Sequence, residues 1–440
     1  MFGHLLRRLF PVQEGNELKK LLLKGASIAV VLHGSGVGLR YLFHLFFARY
    51  LGKSGYGAVS FSLGLAQLLS VVAILGLSVA SLRFVSTYLS PDRLAELKGY
   101  IRFSRILVFG LGIVLAVCCT VIVWATNFKK IDPATVFVGV GLIPLFSLML
   151  LHKDMLRALR KIGRALVIPN VILFLVPLLC TSILARWHQL ASTQAMLFFL
   201  AGLIFGVGLQ FFWIRKELPE GISQARAKFH PGLWLSVGSS LLVVNGAAMA
   251  LQRVDIIMLG SMSGAAETGI YSAATRTAKL CRVPLLAANA VVAPLIATLY
   301  AKGELDRLQH MVNKVVQFVF WPSLFLAIFL IVKGEFVLAL FGEGFEAGMG
   351  ALAILVLARL LGVTCGPVAH LLHLTDLHYW SAAIFSLAAL LNVALNAILI
   401  PRFGIEGAGV ATAVSWISCR VMLVFVARWK TGIHSFILFR

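Results

Sequence analysis

Residues 269–295 read GIYSAATRTAKLCRVPLLAANAVVAPL. The run is long enough to cross a bilayer, which takes ~20 apolar residues. Yet Arg276, Lys279 and Arg282 lie inside it, and no acid accompanies them. One cation near the bilayer centre costs ~2.5–3.5 kcal/mol, and three facing lipid would cost roughly 8–10. If this segment is a membrane helix, its cations must face water, a counter-charge or a bound anion.

The rest of the chain settles that it is one. Of 440 residues, 60% are hydrophobic and only 13% charged, against about a quarter charged in soluble domains. Apolar blocks of about 20 residues, broken by short basic loops, recur along the whole length. The expected fold is an all-α polytopic membrane protein. We read about twelve helices, near 21–48, 55–88, 103–126, 133–151, 165–185, 193–214, 232–260, 268–300, 315–332, 348–372, 379–400 and 406–427. The second and eighth exceed a bilayer's thickness, so they should tilt or bend. Pro284 and Pro294 would bend the eighth by removing donors and crowding the preceding turn.

With the N-terminus inside, Lys and Arg favour the inner segments by roughly three to one or more. Both termini are therefore expected in the cytoplasm. The same rule explains the net charge of +22, which in a soluble chain would suggest nucleic acid; nucleic acid is not an expected partner. Cys118, Cys119, Cys180, Cys281, Cys365 and Cys419 all fall in apolar segments and read as small buried hydrophobes. Residues 1–20 lack a cleavage site and read as a cytoplasmic or interfacial segment. No loop exceeds about 20 residues, which leaves no room for an extramembrane catalytic domain. An enzyme is not expected.

The chain also repeats itself at an offset of 212. Gly57 and Ser60 meet Gly269 and Ser272, and Tyr88 meets Tyr300; Asp92–Leu94 and Asp306–Leu308 both read DRL, two residues out of that register. Six helices per half keep both halves in one orientation. The expectation is two parallel six-helix lobes around a central cationic cavity: an N-lobe at 21–216, a linker at 217–231, a C-lobe at 232–430 and a tail at 431–440.

Eight cations fall more than one helical turn inside the expected spans: Arg40, Arg83, Arg253, Arg276, Lys279, Arg282, Arg359 and Arg420. On a continuous helix Arg276, Lys279 and Arg282 share an arc of about 120°, and Asn289 extends that face. Their repeat equivalents are Gly64, Gln67 and Ser70, so the scaffold does not require charge there. We expect these three, with Arg40, Arg253 and Arg359 as auxiliaries, to bind an anionic substrate. Arg83 and Arg420, nearer the helix ends, are expected to snorkel. Asp255 is the one acid read inside a span, and it either pairs with Arg40 or the eighth helix or binds a coupling proton or sodium ion. Arg40 shares a face with His33 and His44. His370, His373 and His378 flank Asp376 without a full ligand set, so neither metal nor cofactor is expected. Asn392 and Asn396 should hydrogen-bond neighbouring helices.

At RVDIIMLGSMSGAAETGIYSAATR (253–276), LYAKGELDRL (299–308) and LIPRFGIEGAGVATAVSW (399–416) the chain resembles the Wzx-type polysaccharide or O-antigen flippases. These are polysaccharide transporters of the multidrug/oligosaccharidyl-lipid/polysaccharide superfamily. The resemblance covers roughly residues 20–430. It implies a flippase moving an undecaprenyl-pyrophosphate-linked oligosaccharide from the inner to the outer leaflet by alternating access, in polysaccharide, lipopolysaccharide or O-antigen biosynthesis. Implied partners are that lipid-linked substrate, membrane lipid, and polysaccharide polymerases or glycosyltransferases. Relatives acting on the peptidoglycan precursor carry two further helices. A drug exporter of the same superfamily would favour acids in its cavity, and a membrane glycosyltransferase or polymerase would need a positioned acid or base. The sequence favours neither.

Overall fold

The structure, a computed structural model, describes residues 16–184, 190–374 and 377–437; parts of the expected 1–20 segment and of the 431–440 tail lie outside them. Every element among the described residues is helical.

In the first half α1 (Asn16–Ile74) bends at Gly52, and a turn at Leu75–Gly76 leads into α2 (Leu77–Tyr88). Next come α3 (Leu94–Ala125), α4 (Pro133–Gly141) and α5 (Ile143–Ala158); the ring of Pro144 accounts for the break between the last two. α6 (Ile162–Val167) widens into a π-turn at Ile168–Ile172, around Pro169, before α7 (Leu173–Leu184) and α8 (Ser192–Glu217). The second half holds α9 (Pro231–Met262), α10 (Ala265–Ala278), α11 (Val283–Ala301), α12 (Leu305–Val332), α13 (Gly334–Ala339), α14 (Met349–Thr364) and α15 (Val368–Leu374). It ends with α16 (His378–Thr431), bent at Gly404. Nine stretches among the described residues are long and apolar enough to cross a membrane. Two of these, bent at Gly52 and Gly404, hold two helices each, so length and apolarity do not by themselves give the expected number of twelve.

The expected continuous helix at 268–300 is corrected. α10 ends at Ala278, a 3₁₀ turn covers Lys279–Arg282, and α11 starts one residue before Pro284. Pro284 has no N–H for the carbonyl of Leu280, and its ring crowds that turn. Arg276 therefore lies on α10, while Lys279 and Arg282 open and close the turn.

Three apolar clusters give the molecule its shape. One takes residues from both halves, among them Phe43, Tyr56 and Phe61 with Ile256, Tyr271, Phe341 and Leu352. A second lies wholly in the second half, from Leu251 to Ile433. The third lies in the first half, except that Trp234 of α9 joins Tyr88 and Tyr100 there. Helix directions place the shared core away from the ends of α1 and α16 that lead to the termini. The halves are thus fused at this distal end, and toward the termini they part except along α9, whose Gly238 lies against the Leu75–Gly76 turn and whose Trp234 enters the first-half cluster. The cysteines divide similarly: Cys281, Cys365 and Cys419 are buried, whereas Cys118 is exposed and Cys119 and Cys180 are half-buried. The expectation of six buried cysteines is corrected, because the Cys118 face of α3 has no helix packed on it.

The internal repeat becomes a physical contact at the distal end. Gly52 and Gly264, 212 apart, both adopt positive φ (65° and 97°) with extended ψ (−177° and −175°), a conformation open to glycine. One turn on, a Cβ added at Gly57 would collide with the carbonyl of Ala265, and one added at Gly269 would collide with the carbonyl of Lys53. Lys53 and Ala265 are also 212 apart. Each half offers the same glycine to the same carbonyl of the other, which is the pattern of a two-fold contact.

Overfilling that crossing should open the distal seam. Gly57→Val should cost about 1–3 kcal/mol, raising thiol labelling of a lone cysteine at buried Ser272, in a background free of native cysteines, by roughly 5- to 100-fold. Unchanged labelling would contradict the close-packed seam.

Candidate functional site

In the fork between the halves lies a cavity of about 430 Å³. α1 lends it Val37, Arg40, Tyr41 and His44, and the second half supplies nearly all the rest. Of the residues singled out in the sequence, Arg40, Arg253, Arg276, Lys279, Arg282 and Asn289 line it. Arg420 also lines it and is buried, which corrects the expectation that it snorkels. Around it α16 packs on α14 and α15: a Cβ at Gly362 would lie 3.9 Å from the Arg420 Cγ, and neighbouring Cys419 shares an apolar cluster with Val368 and Leu371. The helix beyond, at 428–430, is exposed. Arg359 is not on the cavity wall; it is buried just behind, with its guanidinium 4.6 Å from the ring centre of Trp416. Arg83 is exposed on α2, where it can snorkel.

The cations form two groups. Arg276 lies within electrostatic reach of Arg40, Arg253 and Lys279, and this group joins the halves. Its Nε donates to the hydroxyl of buried Tyr56 at 2.9 Å, and the neighbouring Thr277 hydroxyl lies 3.3 Å from that of Tyr41. Arg40, the cation contributed by α1, is aimed by the π-turn: its Nη2 donates to Oδ1 of Asn170 at 3.4 Å, and its guanidinium lies 5.0 Å from the Phe174 ring centre. Gly36 makes room for Asn170, since a Cβ there would come within 2.7 Å of its Cβ. The second group is Arg282, Arg359 and Arg420, whose guanidiniums sit 5.2, 4.6 and 5.5 Å from the centre of the Trp416 ring.

None of these seven cations is ion-paired with a carboxylate among the described residues; the pairs that form use other side chains. Asp255, in particular, is not paired with Arg40. It is buried, and its carboxylate accepts from the Tyr271 hydroxyl at 2.9 Å, the Thr412 hydroxyl at 3.2 Å and the Ile256 N–H at 2.8 Å. Tyr271 is on α10, so the eighth expected helix does supply a partner, but a neutral one. Neutral donors hold the carboxylate, which lies within electrostatic reach of Arg253, Lys279 and Arg359 without ion-pairing any of them, so one acid faces seven cations. Several cavity groups also keep unpartnered buried atoms: His44 Nδ1, Arg253 Nε, Asn289 Oδ1 and Trp416 Nε1. Mutual repulsion among close cations in a low-dielectric site favours an anion with several acceptor oxygens.

Other expectations are amended. Asp255 is not the one acid inside a span: Asp154, in α5, is also buried, accepting from Ser78 at 2.9 Å and Arg157 at 3.0 Å, with Lys153 at 3.5 Å. The basic residues around it disguise it as loop. Arg105 likewise sits within α3 and donates to His152 at 2.9 Å. Asn396 bonds Asn392 on its own helix and not a neighbouring one, because spacing of four stacks the two amides. The side chains of His33, His370, His373, Asp376 and His378 lie outside the described residues. Trp416, Tyr56 and Asn170 were not singled out in the sequence; only Pro169 beside Asn170 hinted at a distorted turn.

Comparison with known proteins follows from this geometry. The family model described as polysaccharide biosynthesis protein matches residues 22–300. A probable low-salt glycan biosynthesis flippase, Agl15, of Haloferax volcanii is 25% identical over 37% of this chain and 35% of its own length. The chain therefore aligns with about a third of that relative. Among solved structures, an inward-facing multidrug resistance MATE family transporter of the MOP superfamily superposes with a TM-score of 0.75 at 13% identity, over 94% of this chain and 98% of its own. The lipid II flippase MurJ in an inward closed conformation gives 0.69 at 14%, over 92% and 87%. At such identities the likeness is one of fold alone: the two-lobed helical fold of those structures.

The neutral shell of Asp255 is open to test. Tyr271→Phe should remove about 1–3 kcal/mol by leaving the carboxylate short of a donor, seen as a lowered melting temperature of the purified protein in detergent. A melt indistinguishable from that of the unaltered protein would show that the bond contributes little.

Proposed function

The chain belongs to the polysaccharide biosynthesis protein family, and on that footing we propose that it is a flippase for a lipid-linked oligosaccharide. The carrier we infer is undecaprenyl diphosphate, moved from the inner to the outer leaflet of a bacterial inner membrane with both termini in the cytoplasm. The observation that carries this reading is the cavity itself: cations from both halves converge on one space, and no carboxylate among the described residues pairs with them.

A diphosphate suits the lobe-joining group. Guanidinium forks can engage two oxygens at once, and Lys279 adds a point charge. Arg40 on one side and Arg253, Arg276 and Lys279 on the other would hold the two phosphates across the fork, with Arg282, Arg359 and Asn289 deeper in the second half. The prenyl chain would stay in lipid while the sugars occupy the wet space. The lobes at 21–216 and 232–430 would then rock about the Gly57–Gly269 crossing, the 217–231 linker joining them. We assign Asp255 the role of ion-coupling group, since its carboxylate, the hydroxyls of Tyr271 and Thr412 and the carbonyl of Ala408 form an oxygen-lined nest. Export for lipopolysaccharide or O-antigen, working beside polymerases and glycosyltransferases, is the setting in which such a step operates. A cationic drug would meet like charge here, which disfavours a multidrug exporter despite the shared fold.

Arg276→Gln should lower surface glycan at least tenfold in cells that depend on this protein, with membrane levels unchanged on immunoblots; Arg282→Gln should act in the same direction. Full export by both variants would overturn the site.

A further inference from the structure

We propose that the cavity contains a second anion subsite, built by Arg282, Arg359 and Arg420 around Trp416, and that it takes a carboxylate-bearing sugar of the transported glycan. The proposal rests on the reading of the lobe-joining cations as the diphosphate site.

The first argument is charge. A diphosphate linking a prenol to a sugar has one ionised oxygen per phosphate. Arg40, Arg253, Arg276 and Lys279 already exceed that. Three further guanidiniums remain, none of them ion-paired with a carboxylate among the described residues. The second argument is position. Arg282 closes the 3₁₀ turn, Arg359 is on α14, and Trp416 and Arg420 are one turn apart on α16. All belong to the second half, so this group does not bridge the fork. The indole attracts each guanidinium, but it has no net charge and cannot neutralise three of them.

The third argument selects the ligand. Trp416 is 8% exposed, and its Nε1–H has no partner; neither has Asn289 Oδ1. Both residues line the cavity. A lipid phosphodiester could satisfy the guanidiniums, but that group carries no O–H to give to the Asn289 carbonyl. A uronic acid offers both: a planar carboxylate for the guanidinium forks, and ring hydroxyls that donate to Asn289 and accept from Trp416.

The test compares polyprenyl diphosphate disaccharides that differ only at the terminal sugar: glucose, glucuronic acid or glucose 6-phosphate. Binding to the unaltered protein in lipid nanodiscs needs no variant. The glucuronic acid form should bind at least tenfold more tightly than the glucose form. Arg420→Gln should abolish that preference while leaving the affinity for the glucose form within about twofold, and Arg276→Gln should weaken both. Equal binding of the glucose and glucuronic acid forms overturns the subsite and leaves the diphosphate reading standing. Failure of all three ligands to bind overturns the diphosphate reading itself. A 6-phosphate form that binds more tightly than the uronate overturns the assignment to a carboxylate.

Discussion

Fixed positive charge far in excess of the one acid within its reach, Asp255, is the constraint around which this molecule is organised. Ions buried in protein normally come with a partner, because desolvation otherwise costs several kcal/mol per ion. Here the available acids are spent elsewhere. Asp154 is held by Lys153 and Arg157, Glu217 by Lys161 and Arg164, and Glu96 by Lys228, all near the proximal surface. Asp255, the acid nearest the cavity in sequence, is wrapped in neutral hydroxyls. The arrangement holds because Arg40 is exposed and Arg253, Arg276, Lys279 and Arg282 are only half-buried, and because aromatic rings of Phe174 and Trp416 lie against several of the cations.

The parting of the halves in turn depends on the distal crossing. Two glycines related by the repeat let the backbones of α1 and α10 touch, and the shared apolar core closes over that contact. At the crossing itself backbone meets backbone, and large side chains, among them Tyr56, Tyr271 and Phe341, pack around it. Arg276 ties the charge to the seam, since its bond to Tyr56 crosses from one half to the other. An anion that drew the Arg276 guanidinium toward itself would loosen the same closure, so occupancy of the cavity and the state of the distal end are linked through one side chain.

Much of this was legible in the chain. Class and approximate helix positions followed from apolar block length. The convergence on anion binding followed from Arg276, Lys279 and Arg282 lacking counter-charges on their own segment. The pairing of Gly57 with Gly269 was visible as a repeat, though not as a contact. What escaped has a common cause. Tyr56 and Asn170 acquire their roles from residues more than a hundred positions away, and Trp416 from Arg282 and Arg359 as well as from nearby Arg420; local pattern carries no record of the distant neighbours. Arg420 was misread because depth was judged from its distance to a helix end, whereas packing against α14 and α15 sets its true surroundings. Asp154 was hidden by the basic residues that neutralise it. The break at Lys279 was foreshadowed by Pro284, but a proline alone does not say whether a helix bends or stops.

The central claim, that the cavity is an electrostatic trap for a phosphate-bearing lipid head, is tested most directly by calorimetric titration of the purified protein with a short-chain, water-soluble prenyl diphosphate at several salt concentrations. The account predicts saturable binding of one ligand per chain, weakening steeply as salt rises. Absent binding, or an affinity indifferent to salt, would contradict it.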